Sequence, residues 1–129
     1  MSRLEEFRAY RERMNTRLLQ TGTTTTRRFF NLDGAAYRDG ALDARTKELL
    51  GLAASLVLRC DDCIAYHVIR ALEEGAGEAA IMETLDIGLI VGGSIVIPHV
   101  RRARELLDEI LDDPAGAGAG ADTPGPPSS

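Results

Sequence analysis

Apolar residues recur through this chain at intervals of three and four, and that spacing restricts the fold to helices. No stretch alternates with period two for long enough to make a strand. Val57-Leu58 and Ile95 to Ile97 are the nearest candidates, and their helical surroundings explain both. Hydrophobic residues make up 44% of the chain but aromatics only 5%, with no tryptophan, so the core must be built from Leu, Ile, Val and Ala. Such a core suits packed helices better than a β-sandwich. A length of 129 residues is enough for one domain.

Local signals divide the chain into about six helices. Ser2 and Glu5 fit a capping box for a first helix from Ser2 to about Gln20. The Thr23 to Thr26 run reads as a break of low helix propensity, with a short helix from Thr26 to Tyr37 after it. Asp43 is an N-cap for a third helix, Ala44 to about Leu58, whose Leu49, Leu50, Leu52, Ala53, Leu56 and Val57 suit burial. A fourth begins near Cys60 and stops at Gly75, which fits an αL cap. A fifth runs from about Gly77 to Val91, with Ala80, Leu85, Ile87 and Leu89 inward. After the Gly92-Gly93 break, Ser94 can cap a sixth helix through Leu111, with Pro98 in its first turn, where a missing N–H costs little. Residues 1–113 thus read as one helical domain. Residues 114–129 are a low-complexity, apolar-poor tail expected to be disordered.

Charge and hydropathy remove several function classes. A formal net charge of −5 disfavours nucleic acid and anionic membrane as partners, because both need a basic surface. The N-terminus MSRLEEFRAY is charged throughout and has no apolar signal core. The longest apolar run, Ile87 to Ile97, is broken by glycines and falls short of the roughly 20 residues a membrane span needs. These features predict a soluble cytoplasmic protein. Thiols are kept reduced there, so paired cysteines point to catalysis or metal binding and not to a structural staple.

The chain's two cysteines stand at Cys60 and Cys63, a CxxC spacing that two randomly placed cysteines would show roughly 1.5% of the time. On a helix Cys60, Cys63 and His67 fall within about 60° of one another, so they share a face. CxxC at a helix start places sulfur near unpaired N–H groups, which favour thiolate, the form that attacks peroxides and disulfides. His67 could take a proton from a thiol or return one to a leaving group. Asp61 and Asp62, inside the motif, oppose a further anion and are expected to make the thiol less acidic. Three readings stay open on the residues alone. They are a redox dithiol, a zinc site needing Glu48 or His99 as fourth ligand, and two buried apolar cysteines. Glu48, read by itself, is an ordinary solvated helix residue, and His99 receives no role.

Glu48, eleven residues, Cys60-Asp61-Asp62-Cys63, three residues, then His67 resembles the motif of the alkylhydroperoxidase D-like branch of the carboxymuconolactone decarboxylase superfamily. The resemblance covers roughly residues 27–111. It implies an all-α, single-repeat helical domain that assembles into a homo-oligomer, a trimer or hexamer. It also implies a thiol-dependent peroxidase that reduces hydroperoxides through a cysteine sulfenic acid and then a disulfide. By the same resemblance Cys63 attacks, Cys60 resolves, and Glu48 and His67 form a proton relay. No bound cofactor or metal is implied. An external dithiol, in some members a lipoyl-bearing protein, regenerates the thiols. The alternatives are a disulfide reductase acting on a thiol partner, and a redox sensor without turnover. Twelve residues from Glu48 to Cys60 cannot align on one straight helix, so the chain must turn between Leu58 and Cys60 for the relay to form.

Overall fold

The computed structural model describes residues 2–113. The expected tail, 114–129, lies outside the described residues. Among those residues there are helices and no strand: α1 (Arg3–Thr21), α2 (Thr24–Ala36), α3 (Ala44–Val57), α4 (Asp61–Glu73), α5 (Glu78–Gly92) and α6 (Ile97–Asp112). A 3-10 turn (Ser94–Val96) leads into α6. No helix among them is long and apolar enough to cross a membrane. The described residues divide into two compact units, the first ending at Asp39 and the second beginning at Gly40.

In the first unit both helices start on reciprocal caps. Ser2 Oγ accepts the Glu5 N–H at 3.1 Å, and the Glu5 carboxylate accepts the Ser2 N–H at 3.3 Å. The threonine run is the start of α2 and not a gap before it. Thr23 Oγ1 accepts the Thr26 N–H, and Thr26 Oγ1 accepts the Thr23 N–H. Threonine is a poor interior residue but a good N-cap, so the hydroxyl that weakens a helix at its centre starts it at its end.

In the second unit α3 packs against both α4 and α5, and α4 packs against α6. The core comes from residues spaced by three and four on each helix: Leu52 and Leu56 of α3, Ile64, Val68 and Leu72 of α4, Ile81 and Leu85 of α5, and Leu107 and Ile110 of α6. Each such side chain is worth about 1.5–3 kcal/mol of burial. Gly88 lets α5 approach α3, since a Cβ there would lie 2.7 Å from Leu56 Cδ2. Two inward assignments fail. Leu50 and Ile87 are exposed, because the buried stripes of α3 and α5 pass through Leu52 and Leu56 and through Ile81, Leu85 and Gly88. Apolar identity did not fix the facing.

Ser94 does not cap α6. Pro98 has no N–H to give to the Ser94 carbonyl, and 3-10 bonds close this segment, with the Ile97 N–H on the Ser94 carbonyl. Pro98 does stand in the first turn of α6, as expected. The end of α4 is also as expected: Gly75 has φ 93°, its N–H bonds to the Leu72 carbonyl, and the Ala76 N–H bonds to the Ala71 carbonyl. This is a Schellman turn.

Candidate active site

α3 runs into α4 through a second Schellman turn. Leu58 ends α3, and Arg59 takes the left-handed conformation with φ 59°. The Arg59 N–H then reaches the Leu56 carbonyl, and the Cys60 N–H reaches the Ser55 carbonyl at 3.1 Å. The residue closing this turn is the N-cap of the next helix. Cys60 is extended (φ −101°, ψ 97°), and its Sγ accepts the Cys63 N–H at 3.2 Å. A sulfur occupies the place usually taken by a Ser, Thr or Asp oxygen.

Cys60 and Cys63 are joined by a disulfide, with Cα atoms 5.2 Å apart. Cys63 is exposed and Cys60 partly so. One turn further on, His67 lies on the buried side of α4, with Ile64 and Val68. The turn at Leu58–Cys60 sets α3 beside α4 and brings Glu48 to it. Glu48 Oε1 lies 2.8 Å from His67 Nδ1, with Glu48 only 1% exposed and His67 8%. The carboxylate of Glu48 is therefore not a solvated surface group. It shares the inward stripe of α3 with Leu52, Ser55 and Leu56.

An ionised carboxylate can only accept, so in that state Nδ1–H is the donor of this bond. The second oxygen of Glu48 faces Arg70, whose Nε lies 3.7 Å away. Arg70 also holds Glu73 at 2.6 Å and Glu74 at 3.0 Å. Burial works against the Arg70 charge, but the hydrogen bond to Glu73 and the field of Glu48 hold its pKa above the ordinary value. A buried carboxylate left alone would cost several kcal/mol, and here it has a cation and an imidazole as neighbours. Tyr66 meets the His67 ring edge-on, with centroids 5.1 Å apart.

The structure thus forms two pairs of the expected residues, Cys60 with Cys63 at the start of α4 and Glu48 with His67 between α3 and α4. Sequence reasoning missed Arg70, although its spacing of three from His67 and Glu73 and four from Glu74 was a readable signal. It also missed what lies on the other side of α4. Asp61 does not simply point to solvent. Its Oδ1 lies 2.7 Å from His99 Nδ1, and Arg102 of α6 donates to its Oδ2 at 3.2 Å. Neither of the fourth zinc ligands considered joins the cysteines, since Glu48 is on His67 and His99 is on Asp61. Among the described residues no group of three or more suitable side chains is arranged to hold a metal ion.

Comparison with known proteins bears on the fold and the family. A Thermotoga maritima crystal structure is 58% identical, with a TM-score of 0.79, covering 81% of this chain and 92% of that one. A second Thermotoga maritima structure, at 58% identity and TM-score 0.78, covers 81% of this chain and 88% of its own. It is a carboxymuconolactone decarboxylase family protein with a possible involvement in antioxidative response. A Legionella pneumophila member of that family, in its apo form, is 25% identical with a TM-score of 0.76, over 84% of this chain and 97% of its own. An uncharacterized protein of the cox locus in Paracoccus denitrificans is 35% identical over 91 residues, 70% of this chain and 82% of its own length. The sequence profile of the carboxymuconolactone decarboxylase family matches residues 24–106. With its helical fold and its Glu48, Cys60, Cys63 and His67 arrangement, the chain belongs to the carboxymuconolactone decarboxylase family, in the alkylhydroperoxidase D-like branch.

Proposed function

We propose that this protein is a thiol-dependent peroxidase that reduces hydroperoxides with the Cys60–Cys63 pair. The observation that carries the reading is the buried Glu48–His67 pair, 2.8 Å apart, on the helix that the two cysteines open. A carboxylate on Nδ1 fixes the tautomer and stabilises the imidazolium formed when a thiol gives up its proton. In the reduced protein His67 acts as the base for Cys63. The Cys63 thiolate attacks the terminal oxygen of the hydroperoxide, the O–O bond breaks, and the alcohol leaves with the proton returned through the imidazolium. Cys63 is then a sulfenic acid. The Cys60 thiolate attacks its sulfur, hydroxide leaves as water, and the disulfide closes. An external dithiol, a lipoyl group or another of that class, becomes a disulfide in turn and restores both thiols. No resident cofactor is required, and the chemistry suits a reducing compartment such as the cytoplasm.

Steady-state consumption of hydrogen peroxide and an organic hydroperoxide, with a dithiol as reductant, tests the reading. An enzyme turns over many times. A single equivalent of disulfide followed by arrest would make the protein a sensor. The exposure of Cys63 also favours exchange with a protein thiol, and turnover of a disulfide substrate without peroxide would select that alternative.

The protein is further proposed to act as a homo-oligomer, a trimer or hexamer. Ile87, Ile90 and Val91 of α5 are exposed, as are nearby-in-sequence Ile95 and the turn residue Leu58, with Ile90 at 82%. Exposed apolar side chains so concentrated along one helix are unusual in a monomer. Light scattering at micromolar concentration should give a multiple of 13.9 kDa, and a monomer mass would remove the proposal.

A further inference from the structure

The peroxidase reading leaves Asp61 as a liability. It directly follows Cys60, occupies the first turn of α4, and places a carboxylate inside a motif that must carry a thiolate. Helix N-termini favour anions, and a carboxylate there competes with sulfur for the same field. The structure shows what answers it. Both oxygens of Asp61 are engaged from α6, Oδ1 with His99 Nδ1 at 2.7 Å and Oδ2 with the Arg102 guanidinium at 3.2 Å. These partners lie 38 and 41 residues away in sequence, so helix-local pairing does not explain them. The His99 side chain is mostly buried, while that of Arg102 is half exposed.

We propose that His99 and Arg102 are positioning residues for the dithiol: acting through Asp61, they hold the first turn of α4 on α6 and take up the charge of a carboxylate that would otherwise oppose a thiolate at Cys60 or Cys63. The inference rests on the proposed function in one respect, that the cysteine pair cycles through a reduced state. The ionisable groups on the elements around the pair divide by side. From α3, Glu48 is committed to His67 and Arg70. From the connecting turn comes Arg59, and from α4 itself come Asp61, Asp62 and His67. From α6 come His99 and Arg102, both on Asp61, with Arg101 as their exposed neighbour. The interaction ties the reactive turn to a helix that supplies no group to the Glu48–His67 relay. It also gives His99, idle in the relay, a defined place in the chemistry.

Ultraviolet titration of thiolate in the reduced full-length protein tests this without any peroxide. Charge partners at contact distance shift a titrating group by one to three pKa units, and these act at one remove and near solvent. Arg102→Gln should therefore raise the thiol midpoint by about half a unit. His99→Gln should move it the same way and serves as the second variant. Oxidation by hydrogen peroxide should slow about threefold at neutral pH and match wild type at alkaline pH, where the thiol is ionised in both proteins. Asp61→Asn should lower the midpoint, and in that background Arg102→Gln should have no further effect. An unchanged midpoint in Arg102→Gln, or an equal shift with Asp61 and with Asn at that position, overturns the proposal. If Arg102→Gln shifts the midpoint equally in both backgrounds while the protein still turns over peroxide, the positioning role alone is removed. If the Arg102→Gln shift depends on Asp61 as expected but the protein does not turn over peroxide, the peroxidase reading is removed and the positioning role stands.

Discussion

The two ends of α4 are reached through the same turn, and only one of them carries the cysteine pair. Behind the helix, Gly75 adopts the left-handed conformation, where glycine meets no steric penalty. In front of it, Arg59 adopts that conformation with a side chain attached, at a cost of about 1–2 kcal/mol. The hydrogen bonds are otherwise the same: 3.0 Å from Gly75 to Leu72 and from Arg59 to Leu56, then 2.9 Å from Ala76 to Ala71 and 3.1 Å from Cys60 to Ser55. The path of the chain is therefore set by how a helix ends. What differs is the residue that closes the turn. Ala76 leads into a short connection, whereas Cys60 becomes the cap of a new helix and brings its sulfur to a backbone N–H. Strain of this size is often found at functional sites in proteins.

The contrast breaks most sharply on the proposed relay. Glu48→Gln keeps the shape of the buried group and removes the charge of its carboxylate form, and His67→Ala removes the proposed base. Either should slow oxidation of the reduced protein by peroxide by about 10²-fold between pH 6 and 9, and the double variant should be little worse than either single one. A variant behind the helix should leave that rate unchanged per folded molecule. If Glu48→Gln reacts at the wild-type rate, the two ends of α4 do not differ in chemistry.

Exchanging the turn residues gives a smaller, thermodynamic version of the test. Gly75→Ala should destabilise the protein by about 1–2 kcal/mol, since φ is 93° and the new Cβ would lie 3.0 Å from the Arg45 guanidinium. Arg59→Gly should move stability the other way, by at most about 1 kcal/mol, because glycine also loses more freedom on folding. Denaturant unfolding reads both. Equal and unfavourable effects would mean that the Arg59 side chain has contacts worth more than its strain.

The smallest effect compares the caps of α3 and α4. Asp43 Oδ1 accepts the Thr46 N–H at 2.7 Å, where Cys60 uses sulfur for the equivalent bond to Cys63. Hydrogen bonding to Thr46, by side chain and then by backbone, holds the Asp43 pKa below its ordinary 3.8. The cap is thus fully present above 3.8 and is lost as pH falls through the lower folded value. Asp43→Asn should leave stability at neutral pH unchanged and flatten its dependence on pH below about 4. An unchanged acid slope would show that the carboxylate form is not the one that caps α3.

Much of this was legible before any coordinates. The Ser2–Glu5 capping box, the Asp43 cap and the Gly75 stop depend on groups within a few residues of one another, and each stands where the sequence puts it. The Thr23–Thr26 cap was equally local but was read for its interior propensity instead of its hydroxyls. Leu50 and Ile87 were harder, because apolar residues surround each helix nearly all the way round and periodicity cannot choose among overlapping stripes. Glu48 was legible through its spacing from the cysteines and not through its own surroundings, where a helix carboxylate ordinarily faces water.

The sequence by itself determined the helices, most of their ends, and the presence of a cysteine pair at a helix start, since these follow from bonds and sterics among near neighbours. The tertiary structure alone decided which of those groups became buried partners. Glu48 and His67 are 19 residues apart, and Asp61 and His99 are 38 apart. Contact at such separations depends on which faces of α3, α4 and α6 are pressed together, and that is chosen by core packing at Leu52, Leu56, Val68 and Leu107, not by anything local to the charged residues.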